Sequence, residues 1–127
     1  MKYKVIVETG VIDRPHDHEM KAALIVANEY FKSNVVFLRP SIYSTPDIEV
    51  NNKKWEIKSP LGNGKKTIEN NLRAARKQSK NIIIDFGRMK LHQTKAIANI
   101  KFYLKNAPNQ FDKVIIITKN KKIIELV

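Results

Sequence analysis

Hydrophobic and polar positions alternate along this chain in short blocks whose periods define its elements. "YKVIV" (3–7) reads as a weakly alternating strand. Over 15–32, Met20, Leu24, Ala27 and Phe31 recur at helical spacing, so this face is expected to pack inward. Asp13 stands as the expected cap, Pro15 suits the first turn, and Asp17 and Glu19 complement the positive helix end. "VVFL" (35–38) is a short buried strand, and "DIEV" and "KWEIK" alternate strictly around Asn51-Asn52, a two-residue hairpin turn. The loop "PLGNGKK" leads to a helix across 66–80 with Ile68, Leu72, Ala75 and Ser79 on one face. "NIIIDF" (81–86) is a buried strand, a third helix spans 92–105 and stops before Pro108, and "KVIIIT" and "KIIELV" form a hairpin around Lys119-Asn120-Lys121.

The order is β, α, β, β-hairpin, α, β, α, β-hairpin. It specifies an α+β or mixed α/β domain in which helices flank a central β-sheet. Its core order is αβββαβ, followed by a helix and a β-hairpin. No repeat, linker or composition break divides residues 1–127, which are read as a single domain of a length that one core serves.

The hairpin raises a chemical question. Side chains alternate on strands, so Asp47 and Glu49 share one face with Glu56 and Lys58, while Ile48, Val50, Trp55 and Ile57 form the core face. A two-residue turn sets Asp47 directly opposite Glu56; a four-residue loop would set it opposite Lys58. Carboxylates facing across a ladder repel, so they either share a proton or hold a cation between them. An all-oxygen pair suits Mg²⁺, Mn²⁺ or Ca²⁺. A lysine on the same face can orient water or offset charge on a phosphate, which is the chemistry of phosphodiester hydrolysis. A plain solvated hairpin face is the alternative, but Glu56 and Lys58 lie within an apolar strand, where unpartnered charges are costly.

Composition narrows the partners. Net charge is +12 with 24 Lys and Arg against 12 Asp and Glu, an excess that favours polyanions, nucleic acid first. There is no Cys, which excludes disulfides and thiolate-bound metals. No apolar stretch reaches the roughly 20 residues of a membrane span.

Pro46-Asp47 followed by Glu56-Ile57-Lys58 resembles the PD-(D/E)xK nuclease signature, and αβββαβ resembles the core of that superfamily. The resemblance implies Asp47, Glu56 and Lys58 as catalytic residues, with Mg²⁺ or Mn²⁺ held by Asp47 and Glu56. It adds Glu19 as a third, helix-borne carboxylate. A second resemblance covers 46–127: "WEIKSPLGNGKKTIENNLRAARKQSKNIIIDF", "KAIANI" and "KVIIITKNKKIIELV" are similar to C-terminal toxin domains of contact-dependent growth inhibition systems. Those domains include tRNA-cleaving nucleases, which points to RNA, tRNA in particular, before DNA. The resemblance also implies a cognate immunity protein, delivery into a target cell on a larger carrier, and a cytoplasmic site of action. The chain begins with Met and shows no carrier region, so it is read as an excised domain or a standalone relative.

Lys66, Asn70, Arg73, Lys77 and Lys80 form a ridge opposite the apolar face of the second helix. Lys65, Lys66, Arg73, Arg76 and Lys77 are the candidate nucleic-acid contacts, positioning phosphates without reading sequence. Gly62 and Gly64 precede the helix start, where backbone N–H groups can hold a phosphate, and Thr67 is a cap candidate. A metal-independent ribonuclease toxin of the barnase or RelE type is the alternative enzyme, with His16 and Thr67 joining Lys58. A non-catalytic basic nucleic-acid-binding module is the non-enzymatic alternative. His16 and His18, two residues apart, are expected to point to different sides of their helix. Trp55 is expected in the core, Tyr43 in a loop and Asp85 in a strand-end turn.

Overall fold

The computed structural model describes residues 2–8, 15–38 and 46–127. Its elements follow the expected order: β1 (Val5–Val7), α1 (Asp17–Val26) running into a π-helical turn (Ala27–Phe31), β2 (Val35–Phe37), β3 (Ile48–Val50), β4 (Lys53–Lys58), α2 (Thr67–Arg76), β5 (Asn81–Asp85), α3 (Gln93–Asn106), β6 (Lys113–Ile117) and β7 (Ile123–Glu125). The strands form one seven-stranded mixed sheet in sequence order. β1–β2 and β4–β5–β6 pair parallel, and the rest antiparallel. Among the described residues no helix is long and apolar enough to cross a membrane.

Alternation along the strands divides the core in two. Ile48, Val50, Trp55, Ile57, Ile83, Ile115 and Ile117 face α1, while Ile82, Ile84, Val114 and Ile116 face α2 and α3. β5 and β6 are apolar on both faces, as parallel strands covered by helices must be. Trp55 is buried, with its ring edge-on to Phe31 at 5.0 Å and to Tyr30 at 6.4 Å.

α1 departs from its expected face. Its buried residues are Ala22, Ala23, Val26 and Ala27, whereas Met20 and Phe31 are partly buried and Leu24 lies outside the core cluster. Small side chains let the helix approach the sheet closely, and the π-turn rotates the last residues of the helix relative to the first. The N-cap is His16; Asp13 lies outside the described residues, as does Tyr43. α2 ends at Arg76, not Lys80, because Ser79 leaves the helix to donate its hydroxyl to the Lys54 carbonyl at 2.9 Å.

The hairpin turn is as expected. Asn51 and Asn52 both have positive φ, 51° and 66°, the type I′ geometry that asparagine tolerates. Val50 pairs with Lys53 and Ile48 with Trp55, which fixes Asp47 opposite Glu56.

Truncating Trp55 removes the largest side chain shared by the hairpin and α1. Trp55→Ala is expected to destabilise the protein by about 3–5 kcal/mol, read as a lower urea midpoint with unchanged slope.

Candidate functional site

β4 pairs with β3 through residues 53–55 and with β5 through 56–58, so it changes partner at Glu56. The two-residue turn makes Lys53, Trp55 and Ile57 turn their N–H groups toward β3. The β3–β4 ladder ends at Ile48↔Trp55, one pair short of the Ile57 N–H on that edge. The Asp47 carboxylate takes over: its Oδ2 accepts the Ile57 N–H at 2.8 Å. On the other edge, the Lys54 carbonyl accepts from Ser79 Oγ at 2.9 Å and Asn81 Nδ2 at 3.1 Å. Side chains therefore close both half-edges that the partner change leaves open.

This geometry fixes Asp47 beside Glu56 on the face covered by α2. Glu56 is only 3% exposed. Lys58 Nζ stands 3.2 Å from Glu56 Oε2. The Gln78 side chain, just beyond α2, faces both Glu56 oxygens, and with its amide nitrogen turned to them it donates to Oε1 at 2.7 Å. Burial drives the Glu56 carboxyl up to about 8, the Asp47 charge adds to this, and Lys58 opposes it. Burial also raises Asp47, against the lowering effects of the Ile57 N–H and the hydrogen bond from Glu56. Glu56 thus carries the proton at neutral pH and shares it with Asp47. Two adjacent oxygen donors that must otherwise hold a proton have the chemistry of a site for a hard divalent cation.

Of the expected helix-borne residues, Glu19 comes nearest in effect: its charge also raises Asp47. Its Oε1, however, accepts the His16 N–H at 2.9 Å as part of the α1 cap. Among the described residues no three His, Asp or Glu side chains gather as a metal cage, so Glu19 does not complete a ligand set with Asp47 and Glu56 in this arrangement. His16 is exposed and its ring stacks on His18 at 5.6 Å, with 6° between the planes. The two rings do not diverge as expected, because His16 precedes the helix with extended backbone (φ −68°, ψ 158°). Thr67 is the first residue of α2, and Lys66 holds the cap position instead. A Cβ on Gly62 would come within 2.9 Å of the Thr67 hydroxyl, so a larger residue there would force that side chain to shift. No hydrogen bond among the described residues joins His16 or Thr67 to Lys58. Asp85 is buried and accepts the Gly87 N–H at 2.9 Å, a strand-end turn as expected.

The basic ridge does face outward: Lys65, Lys66, Arg73, Arg76 and Lys77 are all exposed. All but Lys66 line a groove of about 720 Å³ between α2 and α3, and Arg73 is paired with Glu69 at 2.9 Å. Lys77, in the groove lining, immediately precedes Gln78 in the chain. Gln78 escaped the sequence reading, although its spacing from Ala75 and Asn71 sets it on the inner side of α2.

Comparison with known proteins bears on this site. A solved structure described as a CdiA-CT/CdiI toxin and immunity complex from Burkholderia pseudomallei aligns with a TM-score of 0.62 and 17% identity, over 97% of this chain and 98% of that one. At that identity the likeness is one of fold. No curated protein matches the chain. Residues 44–123 match the model of the contact-dependent growth inhibition CdiA C-terminal domain, a span that contains the hairpin, Gln78 and the basic ridge. The chain belongs to the family of contact-dependent growth inhibition CdiA C-terminal domains.

Proposed function

We propose that the protein is a toxin-domain nuclease that hydrolyses phosphodiester bonds in RNA, tRNA above all, with the β3–β4 hairpin as its active site. The observation that carries this reading is the Asp47–Glu56 pair, set into the sheet, sharing one proton and flanked by Lys58. Asp47 and Glu56 would hold Mg²⁺ or Mn²⁺ in place of that proton. Such an ion supplies positive charge that activates water and offsets charge on the scissile phosphate. Asp47 is fixed by the Ile57 N–H, and Gln78 fixes the Glu56 carboxyl. Lys58, 24% exposed in its side chain, reaches solvent while touching Glu56, the position from which an ammonium can hold the attacking water or the phosphate. Glu19 biases the pair electrostatically from α1. Arg73, Arg76, Lys65 and Lys77 bind the backbone of the substrate, with Lys66 beside them.

Family membership and the fold shared with a chain from a toxin–immunity complex support three further parts of this reading. The domain is neutralised by a cognate immunity protein, enters target cells as part of a larger carrier, and acts in the cytoplasm. A metal-independent ribonuclease mechanism is less well supported, because no hydrogen bond among the described residues brings His16 or Thr67 to Lys58.

Purified protein is expected to cleave total tRNA in the presence of Mg²⁺ or Mn²⁺, to stop in EDTA, and to lose about 10²–10³-fold in rate as Lys58→Ala. Cleavage that survives EDTA but not the mutation would move the chemistry to a metal-free mechanism. Salt-sensitive binding without cleavage of RNA or DNA would leave a basic binding module.

The raised carboxyl also makes stability depend on pH. Between the ordinary glutamate value and about 8, the folded state holds a proton that the unfolded state has released. Stability contributed by Glu56 is therefore complete at low pH and falls as pH rises through this window, by about 1.4 kcal/mol per pH unit. A cation displaces the proton, so Mg²⁺ or Mn²⁺ is expected to raise the melting temperature more at pH 8 than at pH 5. In Glu56→Gln both the pH slope and the metal effect should shrink. Equal metal effects at the two pH values would contradict the assignment.

A further inference from the structure

The groove between α2 and α3 holds a feature that phosphate binding does not use. Phe102 is 71% exposed, the most exposed of the large hydrophobic side chains among the described residues and the one aromatic in that group. α3 turns Ala96 and Ile100 to the sheet, and Phe102, two residues beyond Ile100, stands on the far side. Its ring projects into a groove whose opposite wall carries Lys65, Arg73, Arg76 and Lys77. The single carboxylate in the lining, Glu69, is already paired with Arg73. The wall around the ring is fixed from within: Asn106 Nδ2 donates to the Phe102 carbonyl at 2.8 Å, and the Tyr103 hydroxyl donates to Gln110 Oε1 at 2.9 Å. The space of about 720 Å³ lies within the range of pockets that enclose small ligands.

We infer that this groove takes an unpaired nucleotide of the substrate RNA, its base stacked on Phe102 and its flanking phosphates on the α2 cations. The inference rests on the nuclease reading and adds the structural class of substrate. A polynucleotide presents negative charge and a flat π-face at successive positions, which matches a cationic wall facing an exposed ring. A duplex hides its base faces in the stack, so it can occupy the cations but not the ring. An acidic protein partner would satisfy the cations too, but the ring would then need an apolar cover, and the rest of the lining is polar or charged apart from Ala107 and the Tyr103 ring. The preferred substrate is RNA with a loop or single-stranded tail.

The test uses the Lys58→Ala protein in EDTA, where cleavage is expected to stop, and a fluorescent ten-nucleotide RNA, single-stranded or annealed to its complement. Adding Phe102→Ala is expected to weaken single-strand binding by about 5- to 150-fold, to leave duplex binding unchanged, and to be rescued by Phe102→Trp. An unchanged urea midpoint would exclude misfolding, as expected for so exposed a ring. Unchanged single-strand binding, or equal loss on both RNAs, would overturn the inference. So would loss of immunity-protein binding with RNA binding intact, which would assign the ring to a protein. Cleavage by protein that retains Lys58 separates the two readings. If cleavage depends on Lys58 but Phe102→Ala cuts looped and duplex RNA equally well, the groove falls and the nuclease stands. If single-strand binding depends on Phe102 but no RNA is cut, the nuclease falls and the groove stands.

Discussion

β4 has to satisfy two neighbours that never run beside it together. Its first half is committed to β3 by the Asn51-Asn52 turn, and its second half to β5 by the α2 crossover. At the point of exchange the β3 pairing has already ended at Ile48↔Trp55, so the Ile57 N–H takes its acceptor from a side chain. A buried N–H cannot be left without an acceptor. The Asp47 carboxylate meets that need at 2.8 Å, and in doing so it is drawn into the sheet directly beside Glu56. The remaining features of the site depend on this one hydrogen bond.

The first consequence is electrostatic. Two carboxyls in a poorly hydrated place do not both ionise, since among the described residues the burial of Glu56 outweighs the attraction of Lys58. A fold selected for stability alone would gain from an apolar pair at these positions. Retaining the carboxyls is consistent with a proton that exists to be exchanged for a cation, which is the proposal made for the hairpin. The second consequence is spatial. The same partner change places the end of α2 over Glu56, where Gln78 meets the carboxyl.

Features encoded by neighbours in sequence were legible. The I′ turn is chemistry of two adjacent asparagines, and it fixes the register that faces Asp47 with Glu56. Strict alternation assigned Trp55 and Ile57 to one core and Glu56 and Lys58 to the other face. The outward ridge on α2 came from helical spacing. What escaped depends on contacts between distant segments. Ala22, Ala23 and Val26 pack inward because α1 lies close on the sheet, which periodicity of large residues cannot report. α2 stops early because Ser79 is claimed by Lys54, 25 residues away. Glu19 has the right chemistry for a ligand, but its own helix start takes one oxygen as a cap. Gln78 becomes visible only once Glu56 is known to lie beneath it.

Whether the carboxyl proton is the one a cation displaces can be read directly. Mn²⁺ is titrated calorimetrically into the protein at pH 7, in two buffers of different ionisation enthalpy. Release of close to one proton per ion bound, lost in Glu56→Gln, is the predicted result. Binding without proton release, or no binding at the hairpin at all, would contradict it.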